Sequence, residues 1–137
     1  MEWGKLLKQT FEAREMAYVP YSKFAVGAAL LTKSGKIYTG CNIENAAFTP
    51  TNCAERTAIF KAVSEGERDF TAIAVCGGFD GEPCDYCFPC GVCRQVLMEF
   101  CDPGKFIVLV AKSYDEYSEF RLNELLPYGF GPKNLGR

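Results

Sequence analysis

The 137-residue chain contains no histidine. Imidazole is therefore unavailable as a base or a metal ligand, and Ser-His and Cys-His catalytic pairs are excluded. Any metal must be held by cysteine or carboxylate, and any proton must be carried by a different group. Long apolar runs are missing as well: none reaches the roughly 20 residues that span a bilayer. Residues 1–14 lack the basic-then-apolar layout of a secretory leader, which points to the cytoplasm. Strong charge of either sign is also absent. The formal net charge is −2 and the pI is near 5.2, so neither a nucleic-acid polymer nor a membrane is an expected partner. There is no internal repeat and no low-complexity segment.

What is present suits one domain covering residues 1–137, with 48% apolar and 23% charged residues. Eight cysteines in a chain without a leader suggest metal or reduced thiols before disulfides. Trp3, Leu6, Leu7 and Phe11 recur at helical spacing, which predicts a helix over 2–18 ended by Pro20. Apolar runs predict strands at 24–32, 37–42, 72–76 and 106–111, with a turn at 33–36 and a short strand near Phe120. Helices are expected over 53–65, capped by Thr51 or Asn52, over 90–100 behind Pro89, and briefly around Glu124. Residues 77–89 read as a loop. This order is that of an α/β domain with helices packed on a sheet.

Two segments carry chemistry: Cys53-Ala54-Glu55 and Pro89-Cys90-Gly91-Val92-Cys93, each opening a predicted helix. A helix N-terminus favours thiolate. If the two helices lie side by side, Cys53, Cys90 and Cys93 can give three thiolates to one tetrahedral zinc and leave its fourth position for water. Glu55, two residues beyond Cys53, is placed to shuttle protons without being a ligand. Three thiolates overcompensate a divalent ion, so charge must be withdrawn. The helix N-termini contribute, and Arg56 contributes if its guanidinium hydrogen-bonds a ligand sulfur.

Cys84, Cys87, Cys90 and Cys93 form an unbroken C-x2-C run. On its own it suggests a four-cysteine zinc site or an iron–sulfur ligand set, hence a non-enzymatic metal-binding or electron-transfer module. That reading leaves Cys53-Ala54-Glu55 without a purpose. Our expectation is that Cys84 and Cys87 stay off the zinc, because a fourth thiolate would close the site.

The sequence resembles the small zinc-dependent cytidine deaminases over nearly its whole length. The resemblance rests on Tyr18-Val-Pro-Tyr-Ser-Lys-Phe24, Val26-Gly-Ala-Ala-Leu-Leu31, Gly40-Cys-Asn-Ile-Glu-Asn-Ala46, Cys53-Ala-Glu-Arg-Thr-Ala58, Pro89-Cys-Gly-Val-Cys-Arg-Gln95 and Phe130-Gly-Pro132. It implies a three-layer α/β/α fold around a five-stranded mixed sheet, assembled as a homotetramer. It also implies hydrolysis of cytidine and 2′-deoxycytidine to the uridine forms with one zinc per chain. By the same resemblance Cys53, Cys90 and Cys93 bind zinc and Glu55 carries protons. Asn42 and Glu44 hold the ribose, Phe24 packs on the pyrimidine, Ala54 contacts the base through its backbone, and Phe130 enters a neighbouring subunit's pocket. Phe48 stands where many relatives carry tyrosine. Blasticidin S deaminase shares the zinc motifs, but Asn42, Glu44 and the 130–132 tail favour cytidine.

Overall fold

Alternation along three strands sets the layers of the computed structural model, which describes residues 2–137. The elements are α1 (Gly4–Arg14), β1 (Phe24–Thr32), β2 (Ile37–Cys41), α2 (Ala54–Ser64), β3 (Phe70–Phe79), α3 (Gly91–Phe100), β4 (Ile107–Ala111), β5 (Tyr117–Arg121) and α4 (Leu122–Leu125). Successive strand residues face opposite sides of a sheet. Ala29, Ala72, Ala74, Leu109 and Ala111 therefore meet Trp3, Leu6 and Leu7 of α1 on one side. Ala28, Leu30, Ile73, Val108 and Val110 meet Ala58, Ile59 and Ala62 of α2 and Leu97 and Met98 of α3 on the other. The result is the expected three-layer α/β/α arrangement. Each fully buried Leu or Ile in these layers contributes about 1.5–3 kcal/mol.

The sheet order is β2-β1-β3-β4-β5. β1 runs antiparallel to both β2 and β3, β3 and β4 are parallel, and β5 returns antiparallel to β4. β2 and β3 thus point the same way across β1, and β3 and β4 do so as neighbours. Like-directed strands need crossovers, which α2 and α3 supply. Because crossovers keep one hand, both helices lie on the same face. Their N-termini come together at one end of the sheet, where β2 and β3 finish. Gly40 permits the approach of α2: a Cβ there would lie 2.3 Å from the Ala54 carbonyl oxygen.

Three expectations are corrected. α1 ends at Arg14, four residues short of the expected position, as residues 15–17 close tighter turns onto Glu12, Ala13 and Arg14. Tyr18 is drawn off to bridge Ile43. β3 runs to Phe79, well beyond residue 76, because the stretch read as loop pairs with the start of β1: Val26 opposes Gly77 and Phe24 opposes Phe79. The N-cap of α2 is Cys53 itself, with an extended backbone and no side-chain cap, while the Asn52 amide donates to Thr57 Oγ1. Among the described residues no helix is long and apolar enough to cross a membrane.

Candidate metal centre and catalytic pocket

Cys53 and Cys90 are the N-cap residues of α2 and α3, and Cys93 lies in the first turn of α3. Neither N-cap cysteine uses its side chain to cap the backbone of its helix, so both sulfurs are free to turn toward each other. The Cys53 and Cys90 sulfurs are 3.8 Å apart and those of Cys90 and Cys93 are 3.5 Å apart. All three lie within 4.8 Å of one another. A tetrahedron with zinc–sulfur arms of about 2.3 Å has edges of about 3.8 Å, so the spacing suits that ion.

Protonation agrees with the spacing. A hydrogen bond from the Cys93 thiol holds Cys53 down to about 5, with Arg56 adding to the effect, while the same bond pushes Cys93 well up. Thiolates held this close repel one another. A divalent cation held among the three sulfurs would offset that repulsion. Arg56 Nη2 donates to the Cys53 sulfur at 3.2 Å, as the charge argument required.

Glu55, in the first turn of α2, is 4% exposed. Burial pushes its carboxyl up to about 7, and the negative charge of Cys53 adds to this. A cavity of about 150 Å³ is lined by Glu55, Cys53, Ala54, Cys90, Asn42, Val26, Cys87 and Phe88. Geometry therefore brings Cys53, Cys90, Glu55, Ala54 and Asn42 together around one cavity.

Asn42 is held firmly. Its amide oxygen accepts from Val26 N at 2.9 Å and its NH2 donates to the Phe24 carbonyl at 2.8 Å. An amide offers two donors and two acceptor lone pairs, so one of each is left for a ligand. Glu44 accepts from the backbone N–H of Tyr21 (3.0 Å) and Ser22 (3.1 Å) and from the Ser22 hydroxyl. These bonds, the Ser22 hydroxyl's first, hold its carboxyl below the usual range. Glu44 does not line the Glu55 cavity but sits in a separate hollow with Tyr21, Ser22, Phe48 and Thr51. Phe24 packs edge-on against Phe79, with centroids 5.4 Å apart. Phe130 is 57% exposed and does not line this chain's cavity.

The C-x2-C run does not act as one cluster. Among the described residues Cys53, Cys90 and Cys93 are the group able to hold a metal. Cys84 faces Cys76, whose thiol hydrogen-bonds it and holds it down to about 7. Cys76 Sγ also lies 3.6 Å from the Thr10 carbonyl oxygen of α1, so this pair lies on the α1 side. Cys87 lies on the opposite side, in the cavity. The four-cysteine module is thereby set aside.

Sequence reasoning missed two supports. Ser22 organises Glu44, and its presence in the 18–24 motif was the available signal. Arg14 donates to the carbonyls of Ala25, Gly78, Phe79 and Glu82, tying β1 to the segment that leads to Cys87. Nothing local distinguishes it from a surface arginine at a helix end.

Comparison with known proteins gives a consistent picture. Residues 2–110 match the model of the cytidine and deoxycytidylate deaminase zinc-binding region. A cytidine deaminase of Sporosarcina psychrophila is 50% identical over 135 residues, covering 98% of this chain and 96% of the relative. One from Halalkalibacterium halodurans is 48% identical, with 98% of each covered. The crystal structure of a Burkholderia pseudomallei cytidine deaminase superposes with a TM-score of 0.84 at 43% identity, covering 95% of this chain and 100% of that one. A Mycobacterium tuberculosis cytidine deaminase superposes at 0.80 with 37% identity, covering 96% and 98%.

Proposed function

We propose, since this chain belongs to the family of cytidine and deoxycytidylate deaminases with a common zinc-binding region, that it hydrolyses the C4–amino bond of cytidine and 2′-deoxycytidine. It is a zinc-dependent hydrolytic deaminase with one zinc per chain. The observation that carries the reading is that buried Glu55 shares a small cavity with Cys53 and Cys90. Zinc held by Cys53, Cys90 and Cys93 supplies the Lewis acidity that makes water nucleophilic near neutral pH.

The chain's own groups do the rest. Glu55 takes a proton from the attacking water and places it on N3 of cytosine, which makes C4 electrophilic. After the water oxygen has added to C4, Glu55 passes the remaining proton to the exocyclic nitrogen, and ammonia leaves. Water and cytidine thus become uridine and ammonia, and Glu55 ends as it began. A carboxyl near 7 suits both halves of this cycle, because it accepts and releases protons with similar ease. Arg56 withdraws charge from Cys53, Ala54 meets the base through its backbone, and Phe24 packs on the ring. The test is loss of cytidine absorbance with stoichiometric ammonia release. A zinc chelator is expected to abolish it and added zinc to restore it; turnover that survives metal removal would overturn the reading.

Asn42 and Glu44 hold the ribose hydroxyls in this proposal. Their pre-existing hydrogen bonds support it, since they fix both side chains before substrate arrives. Asn42→Ala and Glu44→Ala are each expected to lower kcat/KM roughly tenfold or more with zinc content unchanged, as hydroxyls lose their partners. Unchanged kcat/KM in both would move the ribose site elsewhere.

The proposal extends to a single catalytic domain, a cytoplasmic setting in pyrimidine salvage, and a homotetramer. Eight free cysteines support the setting. Exposed Phe130, Tyr128, Val92 and Leu135 support the assembly, with Phe130 completing a neighbour's pocket. Light scattering is expected to report four chains per particle; an active monomer would refute both the assembly and the role of Phe130.

A further inference from the structure

Most of the residues lining the cavity already have work to do. Cys53 and Cys90 hold metal, Glu55 moves protons, Ala54 meets the base and Asn42 faces the ribose. Val26 lies in β1 opposite Gly77, and the Phe88 ring is engaged with Phe120, centroids 5.4 Å apart. Cys87 is left. It is half-buried and stands outside the metal-binding trio.

Its position is tightly set. A Cβ built on Gly77 would lie 2.8 Å from the Cys87 sulfur, 2.9 Å from its Cβ and 3.1 Å from Phe24 Cε2. The sulfur therefore occupies the space that any side chain at position 77 would fill. Behind it runs the backbone of β3, and beside it is Phe24. It cannot move toward β3 without pressing on the Gly77 backbone. In front of it lies the cavity that it lines together with Glu55, Cys53 and Cys90. In the proposed mechanism C4 of a bound pyrimidine must come to Glu55 and the metal-binding cysteines, within this small cavity. The group carried by C4 must then fit in what room is left beside the thiol.

We propose that Cys87 is a specificity-determining residue that limits the size of the substituent accepted at C4 of the pyrimidine. The inference rests on the deaminase reading above and adds a substrate limit to it. Cavities of this size discriminate by single methyl groups, commonly by about 10-fold or more, when the walls cannot yield.

The experiment compares cytidine with N4-methylcytidine, which releases methylamine in place of ammonia, in the zinc-loaded wild type and in Cys87→Ala, Cys87→Ser and Cys87→Met. The readout is the ratio of the two kcat/KM values, so a general loss of activity cancels. Where the methylated substrate turns over too slowly to follow, its Ki against cytidine supplies the comparison. Cys87→Ala is expected to shift the ratio toward N4-methylcytidine by about tenfold, Cys87→Met to shift it away, and Cys87→Ser to hold it within about twofold. A ratio that stays constant in the alanine and methionine variants would overturn the proposal, as would a methionine variant alone in place of a poorly folding alanine one. A wild type that leaves cytidine untouched would instead defeat the deaminase reading, so the two failures are separable.

Discussion

Replacing Glu55 by glutamine is expected to leave the fold and the zinc in place and to lower turnover of cytidine by about 10⁴-fold, the upper range for a lost acid–base group. The side chains have nearly the same shape, and glutamine brings no charge into a position that is 4% exposed. Folding therefore loses nothing. What is lost is a site that can hold a proton: an amide oxygen neither accepts one from water near neutral pH nor returns one to the departing nitrogen. In the proposed mechanism both transfers pass through the same carboxylate, and the chain has no histidine to substitute for it. The measurement is kcat on cytidine beside zinc content and melting temperature. A variant that keeps more than a small fraction of the wild-type rate would remove Glu55 from the mechanism.

Cys90→Ala is expected to abolish zinc binding and activity together. Cys90 is the sulfur that links the trio, 3.8 Å from Cys53 and 3.5 Å from Cys93. Its removal leaves two thiols on separate helices and no third donor. Alanine costs α3 no cap, since the Cys90 side chain makes none. Any fall in melting temperature then reports the lost metal, because an ion that binds only the folded state stabilises it. Elemental analysis should find less than one-tenth of the wild-type zinc. Full occupancy would mean that another residue, such as Cys87 in the same cavity, completes the site.

Much of the metal centre was readable because its spacing is local. Cys-Ala-Glu and Cys-x-x-Cys each lie within one helical turn, and a helix start fixes where its first residues point. Arg56, one residue after Glu55, reaches Cys53 within that same turn. The buried strands β1, β3 and β4 were also legible as short apolar runs, while the three-layer architecture was expected only through the resemblance, because runs covered on both faces carry no alternation that assigns residues to a side. Residues 77–79 were not legible. Two glycines followed by turn residues read as loop, and it took the pairing of Gly77 with Val26 to make them strand.

The fate of the extra cysteines shows the division most clearly. Four cysteines at equal spacing look like one ligand set when written in a line. Folding separates them, with Cys84 against Cys76 on the α1 side, Cys87 in the cavity, and Cys90 and Cys93 with Cys53. Asn42 and Arg14 follow the same rule, as their hydrogen bonds run to β1 and to the far end of β3. Residue type and short spacing settled which groups could ionise, bind zinc or carry a proton, because those properties belong to the side chain and its nearest turn. Which of them share a cavity depends on strands brought together across long stretches of chain, and no local pattern encodes that contact.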